Sequence, residues 1–382
     1  AEEVEHVEES EEEEHGGGEE SEEEEVAEEA AAVSSIEDMD VGDAADYLSS
    51  DGITADKAVT LLATQPDVDK RAKILEMMAA PWSAEILVKM TNDDEVVSIM
   101  NKLDYRLAPR MLVEMKPARA AKILMNMNAN RAQAIWNKFE PKAAADILGR
   151  VTDAHVIIDV LLSMNNAEYR NKVLLEVSKL AGVGYKMNYI IDHLTRENAQ
   201  ELLTDMSDEQ VKDLLNNMSE SCTIGRPKTR ELLILLDDVN TAKFLLQMDA
   251  EDAAEFLKDV EGVSSVSAVL DQADIDEWTN ILAAMKIESL AAILNYRHAS
   301  DAIPVLQSMT SVGRRVQVLT AMNPGDASLV VEDMPVPMAI ETLNGMDHVK
   351  AVNILVGMDP EKAASILVEI EDPVKAANIL AG

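Results

Sequence analysis

Along most of this chain, apolar side chains recur at offsets 0, 3, 4 and 7, give way to a few polar residues, and begin again about twelve positions later. Ala120, Ile123, Leu124 and Met127 form one such set. That spacing puts all four on one stripe of a 3.6-residue helix, so each set predicts a short amphipathic helix. The closing position shows the period best. Met285, Arg297, Met309, Met322, Met334, Met346, Met358 and Ile370 lie twelve apart with one step of thirteen, and the same register runs through Met78, Met90, Leu103, Met115, Met127, Phe139 and Val151. Between sets stand cap and turn formers, as in Met358-Asp359-Pro360-Glu361-Lys362 and Met322-Asn323-Pro324-Gly325-Asp326. Asp or Asn accepts a first-turn N–H, and Pro suits the first helical position while barring the previous helix from continuing.

Rods of about eight residues, roughly 12 Å long at 1.5 Å per residue, do not hold together alone. Neighbouring units must hold them, and the Ala pairs 120–121, 144–145, 253–254, 363–364 and 376–377 let backbones approach closely. The expected fold is all-α, a superhelical solenoid of short helices with a roughly 12-residue unit and a 24-residue hairpin repeat. Two arrays are expected, 36–218 and 232–382, joined by a loop or bend over 219–231 that holds Cys222, Gly225 and Pro227. Within the first array the register drifts from about 152 to 200, with a longer helix over Tyr169 to Leu180 and a break at Ala181-Gly182-Val183-Gly184.

Composition sharpens this picture. The chain is 47% apolar but only 3% aromatic, with 21 Met, so its interior is built of aliphatic side chains and Met that fill close-packed helix interfaces. The net charge is −39, and residues 1–35 carry 17 Glu with no Lys or Arg, leaving −22 on the rest. The Glu-rich segment has too little apolar surface to offset its ordering entropy, so it is expected to be a disordered or partner-ordered tail. Such charge repels phosphate backbones and anionic lipid, which argues against nucleic acid or a membrane surface and for proteins with a basic surface. A peripheral place on a membrane complex is compatible with this, since no apolar run is long enough to span a bilayer. With one cysteine, Cys222, no intramolecular disulfide or thiolate cluster forms. The start at Ala1, without a basic, apolar leader, fits either a processed N-terminus or a trimmed chain.

Two segments, Met358 to Ile370 (MDPEKAASILVEI) and Met248 to Val260 (MDAEDAAEFLKDV), resemble the short-helix repeats of the cytosolic N domain of MgtE-type magnesium transporters and related helices of the flagellar switch protein FliG. The resemblance covers much of residues 40–382. It implies a helical superhelix whose carboxylates take part in sensing magnesium. No transporter membrane domain and no nucleotide-binding pair of domains follows, and the array is longer than the family's domain, so transport is not implied.

Candidate sites follow from these readings. Asp237, Asp238, Glu251 and Asp252, and also Asp93, Asp94 and Glu95, offer oxygen ligands for Mg²⁺, against the plainer reading of helix caps. The six histidines show no HExxH pair, no zinc spacing and no neighbouring nucleophile, so no catalytic residue is nominated and the chain is expected not to be an enzyme. His193, beside Ile190, Ile191 and Leu194, and His298 are the candidate ligands for chlorophyll. Trp82, ahead of its helix, is the candidate docking anchor. Trp136 takes the place that Leu124 holds one unit earlier and is expected to be buried. Arg226, Lys228 and Arg230 form a basic island suited to an acidic partner or to the Glu tail. The leading expectation is a non-catalytic scaffold or linker that bridges proteins. By analogy with acidic algal plastid proteins, it is set in a thylakoid-associated photosystem and light-harvesting antenna supercomplex. The alternatives are a divalent-cation (Mg²⁺) sensing or buffering protein and a cytoplasmic location.

Overall fold

The computed structural model describes residues 34–180, 184–220 and 225–369. These form 26 helices and no strand, so the chain is all-α. Contacts divide it after Val151 into two compact units. The first holds α1 (Val41–Leu48), α2 (Ala55–Thr64), α3 (Val68–Met77), α4 (Ala80–Lys89), α5 (Asp93–Met100), α6 (Ala108–Val113), α7 (Pro117–Asn126), α8 (Ala129–Trp136) and α9 (Pro141–Leu148).

The second unit opens with α10 (Ala154–Ser163), α11 (Ala167–Ser178), α12 (Gly184–Ile191), α13 (Arg196–Leu203), α14 (Asp208–Glu220) and α15 (Gly225–Leu235). It continues with α16 (Asp238–Leu246), α17 (Ala250–Asp259), α18 (Val263–Leu270), α19 (Ile275–Ala284), α20 (Ile287–Tyr296) and α21 (Ala299–Ser308). Last come α22 (Val312–Ala321), α23 (Pro324–Asp333), α24 (Val336–Gly345), α25 (His348–Val356) and α26 (Pro360–Glu369).

The helices start where the cap chemistry puts them. Asp40, Thr54, Asp67, Asn92 and Asn128 each accept a first-turn N–H, and Pro117, Pro141 and Pro324 stand at first helical positions. The stripes face inward: Ala120, Ile123, Leu124 and Met127 are buried, as are the closing Met residues at 285, 309, 322, 334, 346 and 358. Trp136 is buried too, its ring 5.6 Å from that of Phe139.

Each helix packs chiefly on the helix two along the chain rather than on its immediate neighbour. In the first unit α1 lies on α3, α2 on α4, α3 on α5 and α5 on α7, and the rule returns unbroken from α16 to α26. Two residues show how closely these layers meet. A Cβ on Gly345 would stand 2.9 Å from Val316 Cγ2, and one on Gly357 would stand 2.9 Å from Ser328 Cβ.

Between them the period changes. The helices α10, α11 and α12 stack on α13, α14 and α15 respectively, so the region where the sequence register drifts contains two three-helix units. The expected loop over 219–231 is corrected: α14 runs to Glu220 and α15 starts at Gly225, which leaves 221–224 between them. Pro227 does not prevent this, because it falls in the first turn, where its missing N–H breaks no helical bond. The 1–35 tail (up to residue 33), Cys222 and the Ala376–Ala377 pair lie outside the described residues.

Candidate functional site

Helix ends in a stack of short rods leave many carbonyl and N–H groups to satisfy. This chain does so with side chains borrowed from other helices. The position that opens each stripe is usually Ala, as at 120, 144, 302, 327, 339 and 351. Where it is polar, the side chain reaches back to the end of the preceding helix. Ser83 Oγ donates to the Leu75 carbonyl (2.7 Å) and Thr241 Oγ1 to that of Leu233 (3.4 Å). Arg71 Nε donates to Gln65 O while its Nη1 meets Glu95; Arg315 Nη1 donates to Met309 O (2.7 Å) while its Nη2 meets Glu341.

A second set of ties joins helices three apart, whose opposite ends meet. Near the starts of α7, α8, α22 and α26, Arg119 donates to Val88 O and Met90 O, Arg131 to Leu103 O, Arg314 to Met285 O, and Lys362 to Glu332 O (3.4 Å). A cation on carbonyls at a helix C-terminus also complements the helix dipole. Bonds run the other way as well. Glu76 accepts from the Asp104 N–H (2.5 Å), Asn101 from Asn128 (3.0 Å), Asn295 from Asn323 (3.0 Å) and Glu332 from Asp359 (3.0 Å).

Residues 53–152 match the MgtE intracellular N domain. No curated protein matches the chain. The devices of the matched segment recur beyond it: Arg315 repeats Arg71, Thr241 repeats Ser83, and the Asn295–Asn323 bond repeats that of Asn101 and Asn128. The same helix-end ties thus recur in the second unit, outside the matched residues.

The acidic candidates sit at helix starts. Asp237 caps α16, accepting from Asn240 N (2.8 Å) and Nδ2 (2.9 Å), and Asp238 follows in the first turn. Glu251 and Asp252 stand in the first turn of α17 behind its cap Asp249. Among the described residues no three His, Cys, Asp or Glu side chains are grouped to hold a metal. What the structure shows these carboxylates doing is local: Asp237 caps a helix, and Asp238, Glu251 and Asp252 stand in first turns.

Asp93 and Glu95 are tied to cations, Asp93 to Lys122 (2.8 Å) and Arg119 (3.0 Å), Glu95 to Arg71. The Lys122 bond first, then that of Arg119, holds the Asp93 carboxyl below the usual carboxylate range. A carboxyl whose pKa is lowered on folding adds stability above its unfolded value and loses it as pH falls through the folded one. The thermal midpoint of Asp93→Asn is thus expected below that of the parent at neutral pH, with the gap closing as pH drops under about 4. A gap that is constant through that range would contradict the assignment.

Two residues of the basic island pair with carboxylates of this chain. Lys228 is bound by Asp192 and by Glu231 (2.6 Å), contacts that raise its pKa with Asp192 first, and Arg230 meets Asp259. The Arg226 side chain lies outside the described residues. Trp82 is corrected as well: it lies inside the first turn of α4, half-buried, and its Nε1 donates to Leu48 O (2.8 Å), tying α4 to the end of α1. His298 is exposed at the start of α21, and His193 is half-buried in the turn after α12. The ties through Arg71, Arg315, Asn101 and Asn295 escaped sequence reasoning. For Arg71 and Arg315 the visible signal was a polar residue where the stripe expects Ala, whereas Asn101 and Asn295 stand off that position and carried no such signal.

Proposed function

We propose that this chain is a non-catalytic helical-repeat scaffold that bridges protein subunits of a larger assembly and meets a basic partner with its acidic exterior. The division of charge between inside and outside carries this reading. In the pairs Arg170–Asp205, Arg297–Asp271 and Arg315–Glu341, the arginine side chains are only 7–11% exposed and the carboxylates 56–60%. Arginine stems pack inward and give their donors to helix ends, while the carboxylates stay in water. In these pairs the carboxylate is the outward partner, which adds to the acidic surface expected from the net charge of −39, and such a surface steers and selects basic partners. The finer setting we propose is a linker position on a plastid photosystem and antenna supercomplex, tested by co-migration of the chain with chlorophyll-protein complexes on native gels.

Affinity purification of the full chain from its native source, with elution by rising salt, tests the scaffold reading. Expected are stoichiometric protein partners with basic faces that elute as salt rises, and earlier elution for a chain lacking residues 1–35. Recovery of no stoichiometric partner would contradict it. Compaction in small-angle scattering at sub-millimolar Mg²⁺ would instead favour the cation-sensing alternative.

A further inference from the structure

The second unit holds a histidine pair that no tie described above uses. His155 is exposed in the first turn of α10, and His193 lies in the turn after α12, which packs on α10. Their ring centroids are 5.3 Å apart with planes at 85°. His193 Nδ1 stands 2.8 Å from the Tyr189 carbonyl. A carbonyl only accepts, so Nδ1 carries the proton and Nε2 of the neutral ring keeps its lone pair. The Tyr189 ring, 4.5 Å from that of His193, packs against the same imidazole.

Metal-ligating imidazoles are oriented in this way, the second nitrogen donating to a carbonyl that fixes tautomer and ring position. The spacing agrees as well. With metal–nitrogen bonds of about 2.05 Å and about 1.1 Å from nitrogen to ring centre, two imidazoles on a tetrahedral ion have centroids about 5.1 Å apart. Asp192 is held by Lys228, and Asp153 by its cap bond to His155 N–H.

We propose that His155 and His193 form a two-histidine site for a borderline divalent transition cation, with water in the remaining positions. Imidazole nitrogen disfavours Mg²⁺ and suits Zn²⁺, Ni²⁺ or Cu²⁺, so this site is distinct from the carboxylate sensing considered above. Occupied, it clamps the first helix of a three-helix unit to the third.

Titration calorimetry with Zn²⁺ on the full chain, in excess Mg²⁺ to cover non-specific carboxylate binding, tests the site. Expected is one saturable Zn²⁺ site, weakened about tenfold or more by His155→Ala and by His193→Ala and unchanged by His298→Ala. Zn²⁺ is also expected to raise the thermal midpoint of the parent and not that of His155→Ala, an exposed change that leaves the fold intact. Equal Zn²⁺ binding by the parent and both variants, or no saturable site, would overturn the proposal.

Discussion

Excising residues 286–297 is expected to leave the second unit folded, whereas excising only residues 286–291 is expected to unfold the helices around the cut. The larger deletion removes one whole unit, so Met285 takes the place of Arg297 and α19 runs directly into α21. From α16 to α26 each helix packs on the helix two along through an apolar stripe, so α21 can take the slot of α20 on α18, and α22 that of α21 on α19. The stripes are not identical, since Ala302 then stands where Leu290 did, and a cavity of that kind costs about 2–5 kcal/mol. Helical signal should still fall only in proportion to the residues lost. The six-residue deletion leaves Ala292–Tyr296 as a remnant too short to bury a stripe, and α18 and α22 lose a partner they cannot replace. Circular dichroism and thermal melting compare the two. Equal loss of structure would contradict equivalent units.

Trp278→Ala is expected to cost about 3–5 kcal/mol, among the largest single-residue effects in the second unit. Trp278 is 0% exposed and stands where a stripe normally opens with Ala, in α19, which packs on α17 and α21. No neighbour relaxes far enough to refill such a void in close-packed helices. Its Nε1 has no hydrogen-bond partner, so Trp278→Phe gives up packing area while removing an unsatisfied donor and should cost much less. Trp82→Ala provides the contrast. That ring is half-buried and supplies one bond to Leu48 O, so its loss should cost about 1–2 kcal/mol. A Trp82 effect equal to that of Trp278 would contradict this ranking.

How far the chain was legible follows from which forces are local. The stripe of Ala120, Ile123, Leu124 and Met127 and the caps beside it depend on residues within one turn, so helices and their starts could be read directly. Trp136 could be placed in the core because Leu124 holds the same position one unit earlier. Which helix a stripe faces could not be read, since the same four residues serve a neighbour one or two units along. The bonds of Asn101 to Asn128 and of Glu332 to Asp359 span 27 residues, a separation the twelve-residue pattern does not mark. Trp82 and Lys228 looked like surface features because their partners, Leu48 and Asp192, are 34 and 36 residues away in sequence. The acidic candidates were ambiguous for another reason: Asp237 at a helix start has the same local sequence whether it caps or binds a cation.

The most direct test of the stacking is cysteine cross-linking in a Cys222→Ser background. One pair is Val316→Cys with Gly345→Cys, the other Ser328→Cys with Gly357→Cys. Each joins a helix to the one two along, and the two pairs are related by a single twelve-residue step. The Gly357 Cβ would lie 2.9 Å from Ser328 Cβ and the Gly345 Cβ 2.9 Å from Val316 Cγ2, close enough that a small shift reaches disulfide geometry. The account predicts that both pairs oxidise readily in the native protein, with helicity retained and the cross-linked peptides identified by mass spectrometry. Failure of both pairs to close while the protein stays helical would contradict it.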